Sequence, residues 1–319
     1  MNSTNYIDFS VRQNKAIERA IVFDGLRRLL QYDKDGDYVY IGFGSVWFVD
    51  FDMAHRELGI QTMLSIESDE VLFKRAQFNK PYRTIEVAEG KSYDLLPALL
   101  SEREDLSARP WIVWLDYDEV LDETKLDELS ELVTSLPPNS HVITTFSAAP
   151  HRYTGKPTDR LERFKRLFGD AFPVERFETM KDLRDEQKVM VALGDAVIAF
   201  LKARSVQIAR PGGFIPAFNL QYQDGTPMAT AGGILPSPEL AEQFKAELRR
   251  EDWSGLSSKP IITPPLTPKE VSSLRALLPN KTALSREDIQ HLGFDLLEDQ
   301  IESFCEHYLK YPSFVQTAR

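Results

Sequence analysis

The sequence predicts an α/β fold: a doubly wound sheet of about seven strands with a late antiparallel hairpin, followed by a small C-terminal helical unit. Three observations carry this. Five short, apolar, strand-like runs alternate with helix-like segments between residues 38 and 146. Several of those runs are continuous rather than alternating, as strands covered on both faces are. An Asp224-Gly225 pair between two apolar segments then marks an antiparallel hairpin.

Residues 1–37 read as an N-terminal helical segment. Ala16, Ile17, Ala20, Ile21, Phe23, Leu26, Leu29 and Leu30 recur at helical spacing, with Lys15, Glu18, Arg19, Arg27 and Arg28 between them. Residues 33–37, Asp-Lys-Asp-Gly-Asp, form a turn. The α/β domain spans 38–256. Its strands are Tyr38 to Ile41, Thr62 to Ile66, Thr84 to Val87, Trp111 to Leu115 and Val142 to Phe146. Helices follow over Val46 to Leu58, Glu70 to Asn79, and after Asp122, which can cap the third. An insertion covers about 150–205; within it Asp182 to Ala203 reads as helix. The hairpin pairs Phe214 to Tyr222 with Met228 to Leu235, and Ser237-Pro238-Glu239 opens another helix. Four prolines between Ser257 and Pro268 mark a linker. Thr267 to Glu270 and Ser285 to Asp288 are helix starts in the C-terminal unit, which is small enough to need the body or a partner to cover it. That unit is the expected route to a protein partner or homo-oligomer.

Composition narrows the function. The net charge of −11 speaks against attraction of the whole molecule to nucleic acid. The one local exception is 160–168, where Arg160, Arg163, Lys165 and Arg166 accompany Phe164 and Phe168; an amphipathic helix is the plainer reading. No apolar run is long enough to span a membrane, and the first residues lack the pattern of a secretory leader. Cys305 is the single cysteine, so no internal disulfide forms, and a cytoplasmic protein is expected. The five histidines lack metal-ligand spacing, and no metal is expected. His151 and Tyr153 are the best placed of the remaining polar residues to line a site.

The first strand ends in Ile41-Gly42-Phe43-Gly44-Ser45. Glycines there let backbone approach a ligand and present amides from the following turn, the Rossmann-like arrangement. Glu67 follows the second strand, 25 residues after Gly42, where an acid holds ribose hydroxyls. Glu89 and Gly90 follow the third strand and border the same crevice. Leu115-Asp116-Tyr117-Asp118 places two carboxylates at the carboxyl edge of a central strand, suited to a ligand, a metal or proton transfer.

This arrangement resembles the class I S-adenosylmethionine-dependent methyltransferases over roughly Tyr38 to Leu235, including the late hairpin, where nicotinamide-binding Rossmann domains continue parallel. The resemblance implies S-adenosylmethionine as cofactor. Tyr40, Gly42, Gly44 and Ser45 would lie against its methionine part, Glu67 against the ribose, and Glu89 and Gly90 beside the adenine. Asp116 and Asp118 would stand near the methyl donor, with a small-molecule or protein acceptor of oxygen or nitrogen type. The Asp116 segment is similar to the aspartate motif of metal-dependent O-methyltransferases, although Phe146-Ser147-Ala148-Ala149 lacks their Asp-Asn pair. Tyr40 stands where the family has an acid, and Val46 where it often has a third glycine. Those departures motivate a second reading, a catalytically degenerate binding or assembly partner. Tyr38 to Asp50 and Trp111 to Asp118 also look like methyltransferase-like proteins encoded near bacterial anti-phage systems. A nicotinamide-dependent oxidoreductase is the third reading.

Overall fold

The computed structural model describes residues 12–179, 181–257 and 259–312. The expected absence of a leader concerns residues 1–11, which lie outside that set. Seven strands form one sheet: β1 (Val39–Gly42), β2 (Thr62–Glu67), β3 (Ile85–Glu89), β4 (Trp111–Asp116), β5 (Ser140–Ser147), β6 (Ile215–Asp224) and β7 (Thr226–Leu235). Their spatial order is β3-β2-β1-β4-β5-β7-β6. The first five run parallel. β7 enters antiparallel to both β5 and β6. The hairpin turns at Gly225, whose φ of 95° is a left-handed value that glycine adopts without strain. This mixed sheet is the methyltransferase arrangement the sequence implied, and its antiparallel end runs against the nicotinamide-type continuation.

The helices in chain order are α1 (Gln13–Leu30), α2 (Val49–Leu58), α3 (Glu70–Asn79), α4 (Ser92–Glu102), α5 (Glu104–Ser107), α6 (Glu123–Ser135), α7 (Pro150–Tyr153), α8 (Pro157–Phe168), α9 (Glu186–Gln207), α10 (Ala241–Leu248), α11 (Pro268–Ala276), α12 (Arg286–His291) and α13 (Glu298–His307). No helix among the described residues is long and apolar enough to cross a membrane.

The sheet separates two apolar layers. One side packs β-strand residues such as Val113 and Leu115 against α6 and α9, through Leu129, Leu132, Leu193 and Val197. The other packs Tyr40, Ile112 and Trp114 against α1, through Ile17, Ile21, Phe23 and Leu26. The C-terminal unit covers α1 on that second side: Leu274, Ile289, Ile301, Phe304 and Tyr311 join the same buried cluster. The proline-rich segment before it runs beside β6, with single bridges from Asn219 to Leu256 and from Tyr222 to Ile261. Reciprocal capping boxes at Thr267 and Ser285 open α11 and α12 where the sequence placed them.

Some element starts differ from expectation. α2 begins at Val49 rather than Val46, because Ser45 and Phe48 take left-handed backbone values of 48° and 51° and hold the chain in a turn. α9 starts after Asp185, whose carboxylate accepts from the Lys188 amide. α10 starts at Ala241, after a turn in which the Ser237 carbonyl accepts from Leu240 and Ala241. α4 and α5 were not anticipated, since Pro97 sits inside the first of them. Of the 160–168 segment, Phe164 and Phe168 are buried in the core, Arg160 donates to the Leu183 carbonyl, and Arg163 pairs with Glu123.

Candidate functional site

The carboxyl ends of β1, β2 and β4 lie side by side, because β1 sits between the other two. The chain reverses its winding across this point, and open α/β sheets bind ligands in the crevice it leaves. Registers fix who stands beside whom: Gly42 lies between Ser65 on β2 and Trp114 on β4, Glu67 lies opposite Glu89, and Asp116 opposite Thr145.

The glycines in the turn have geometric reasons. A Cβ on Gly42 would come within 2.8 Å of the Trp114 carbonyl oxygen. A Cβ on Gly44 would meet the Phe48 ring at 2.7 Å and Ser65 Oγ at 2.8 Å. The Gly44 amide donates to Ser65 Oγ at 3.1 Å. Ser45 follows in the left-handed region, its Oγ accepting from the Trp47 amide. Tyr40 is fully buried beneath the turn, its ring edge-on to Phe51 at 5.0 Å. Its hydroxyl donates to Asp50 Oδ2 at 2.9 Å, which brings a carboxylate from the first turn of α2 under Gly42. Burial raises the pKa of Asp50, opposed by the nearby Arg19 and the Tyr40 hydroxyl.

Glu67 ends β2 with its carboxylate accepting from the Asp69 and Ser68 amides. Burial pushes its pKa up. An ionised carboxylate has about four acceptor positions, so two amides leave capacity for hydroxyl groups. Glu89 is exposed at the end of β3. Gly90 beside it has φ 148° and donates its amide to the Glu67 carbonyl. Tyr117, between the two aspartates, turns inward to donate to Glu128 and packs edge-on to Phe43 at 5.4 Å. Asp118 lies at the rim; desolvation of its carboxyl, then the charge of Asp116, raise its pKa. His151 is exposed on α7, while Tyr153 is half-buried and its hydroxyl accepts from the Leu121 amide.

The densest chemistry comes from a helix the sequence reading treated as scaffold. α1 buries Lys15, Glu18 and Arg19, exposed by only 3%, 0% and 6%. Lys15 Nζ lies 2.9 Å from Asp116 Oδ2 and 3.3 Å from Glu18 Oε2. The Trp114 and Tyr222 rings flank it at 5.0 and 5.3 Å. Its two carboxylate partners outweigh the cost of burial and keep Lys15 charged. Burial pushes the Glu18 pKa up, against the pull of Lys15. A hydroxyl chain continues from it: Thr230 donates to Glu18 Oε1, Thr230 and Thr145 share a hydrogen bond of 2.7 Å, and Trp114 Nε1 donates to Thr145 at 3.0 Å.

The carboxylate of Asp224, beside the hairpin turn, accepts from the Asn14 and Lys15 amides and so caps α1, which has no acid in its own first turn. Asn14 also bonds Thr263 and the Gln223 carbonyl, and Gln13 bonds Tyr311. Asp224→Ala should therefore cost about 1–2 kcal/mol through loss of the cap. A urea midpoint indistinguishable from wild type would refute that.

The missed residues Lys15, Glu18 and Arg19 had one sequence signal, and Asp50 had none. Lys15 and Arg19, like Asn14 and Glu18, are four apart in a helix whose apolar positions leave little room for a solvent face.

A family model described as "Putative O-methyltransferase" matches residues 7–319. No curated protein matches. Among solved structures the chain is similar to an O-methyltransferase from Bacillus cereus in complex with S-adenosylhomocysteine, at 12% identity over 66% of this chain and 79% of that one, TM-score 0.38. It is also similar to Trm1 from Pyrococcus horikoshii with S-adenosyl-L-methionine, at 9% identity over 72% of this chain and 57% of that one, TM-score 0.41.

Proposed function

Because the chain belongs to this O-methyltransferase family, we propose that it transfers a methyl group from S-adenosylmethionine to an oxygen of a small-molecule or protein acceptor. The observation that carries this reading is Asp116, held at the carboxyl end of β4 by Lys15 beside the glycine turn.

The residues suit the cofactor. Gly42 and Gly44 leave the turn without side chains, Glu67 has capacity for ribose hydroxyls, and Glu89 and Gly90 border the adenine side. Glu18, Asp50, Asp116 and Asp118 collect around the methionine end with Lys15 and Arg19, a carboxylate-rich setting for a cation. S-adenosylmethionine supplies a methyl group on a cationic sulfonium, so the protein's work is positioning and proton removal. Asp116 orients the acceptor and takes its proton, with Asp118 beside it at the rim. An oxygen acceptor suits the Lys15 ammonium better than a nitrogen one. An amine attacks before its proton leaves, so positive charge builds on the nitrogen and a nearby ammonium opposes it, whereas a hydroxyl whose proton passes to Asp116 as it attacks gains none.

The reading extends to setting. A single cysteine and an acidic composition suit a reducing cytoplasm. The likeness of 38–50 and 111–118 to proteins encoded near anti-phage systems suits a defence role. One observation favours a second reading, a binding module without catalysis: the Gly44 amide, which a ligand would use, is already bonded to Ser65.

Calorimetric titration with S-adenosylmethionine and S-adenosylhomocysteine tests the proposal. Both should bind. A folded protein that takes up neither at millimolar ligand overturns it and leaves the non-catalytic reading.

A further inference from the structure

α1 does more than cover the sheet. A lysine, a glutamate and an arginine buried on one helix face cost free energy unless each is compensated, and a scaffold helix would be at least as stable with apolar residues there. Here the buried charges are aimed at one place. Lys15 reaches Asp116 Oδ2 at 2.9 Å, while Glu18 and the two aromatic rings hold the ammonium from the other sides. Glu18 is in turn tied through Thr230 and Thr145 to the indole of Trp114, two residues before Asp116 on β4. The loop of contacts thus starts and ends on the same strand. Neither Lys15 Nζ nor Glu18 Oε2, both fully buried, completes a well-directed hydrogen bond among the described residues. Asp116 alone among the three is partly open, its side chain 32% exposed.

We propose that Lys15 is a positioning residue of the methyl-transfer site, pinning Asp116 Oδ2 from behind and offsetting its charge where the sulfonium is bound. The proposal rests on the S-adenosylmethionine reading and adds to it a residue from outside the α/β sheet's own loops. Lys15 touches neither cofactor nor acceptor; it acts through Asp116. With the lysine in place, Asp116 meets the crevice as half of an ion pair. Without it, the carboxylate would act on the sulfonium unopposed.

That difference can be read from binding alone. S-adenosylmethionine carries the sulfonium charge and S-adenosylhomocysteine does not, so the ratio of their dissociation constants reports the field at the sulfur. We expect Lys15→Met to shift this ratio about tenfold toward S-adenosylmethionine at pH 8, as removal of one nearby cation requires. Lys15→Gln should do the same with a polar end left in the cavity, and it serves if the methionine variant does not fold. Lys15→Arg, which keeps the charge, should retain the wild-type ratio. A residue that only stabilises the fold would change melting temperature and leave the ratio alone. A ratio within twofold of wild type in a folded neutral variant overturns the proposal. So does an arginine variant that behaves like the neutral ones. Failure of wild type to bind either ligand is a separate result, and it removes the underlying functional reading instead.

Discussion

His141→Leu is expected to flatten the acid side of the stability curve. His141 lies in β5, paired with Ile112 on one side and Ile234 on the other, and is wholly buried. Neither ring nitrogen has a hydrogen-bond partner among the described residues, and the Tyr38 ring is 6.2 Å away. Burial lowers its pKa from 6.5 to about 3. The native state therefore holds this ring neutral, while the unfolded chain takes up a proton as pH falls below 6.5. The stability it contributes is complete above 6.5 and is lost on acidification, at a rate approaching about 1.4 kcal/mol per pH unit. His307, lowered to about 4, adds in the same direction. Glu18, Asp50 and Glu67 act oppositely: burial raises them, so the native state holds protons longer and gains as pH falls. Comparing wild type with His141→Leu at each pH cancels those shared contributions. Urea unfolding from pH 7 to 4 should show the gap between the two widening steadily in the variant's favour. Parallel curves would mean that His141 is satisfied in a way its surroundings do not suggest. At pH 7 the variant should already match or exceed wild type, since it removes two buried polar atoms without partners.

Gly42→Val should lose cofactor binding and stability together. The added Cβ would stand 2.8 Å from the backbone oxygen of Trp114, and no flexible side chain is there to yield. β1 would have to move away from β4 at the residue where the two strands pair. Overpacking of this kind costs about 1–3 kcal/mol. It also displaces the turn from Glu67 and Asp116, the residues assigned to ribose and acceptor. S-adenosylhomocysteine titration and denaturant unfolding of the variant check both parts. A variant that keeps wild-type stability and binding would show that the close approach at Gly42 is relieved at little cost.

The sheet was legible because its physics is local. Strands buried on both faces become continuous apolar runs, and Trp111 to Leu115 is readable as one wherever it appears. The Asp224-Gly225 turn and the Thr267 and Ser285 caps are equally local signals, and each sits where expected. The crevice was legible in part, as the placement of Gly42, Glu67 and Asp116 at strand ends shows. Lys15, Glu18 and Arg19 were not. Charged residues between apolar ones on a helix read as its wet side, and only the tertiary fold reveals that this side is pressed against β4 and β6. Asp50 was hidden for a similar reason: its role depends on the Tyr40 hydroxyl reaching it across the turn. Pro97 concealed α4, since a proline in mid-segment ordinarily argues against a helix.

The way α1 is fastened has a consequence for the order of events on the ribosome. Its capping carboxylate belongs to Asp224, and the hydroxyl and amide that satisfy Asn14 belong to Thr263, 249 residues further along. At about 5–20 residues per second, the interval between the two is on the order of tens of seconds. For much of that time the helix lacks its capping carboxylate, although its apolar partners on β1, α2 and β4, and the Lys15 partners Glu18 and Asp116, are made earlier. Its apolar partners from α11 to α13 emerge later still. The early helix is thus fastened in two stages, by β1, α2 and β4 first and by its distant cap and the C-terminal unit last.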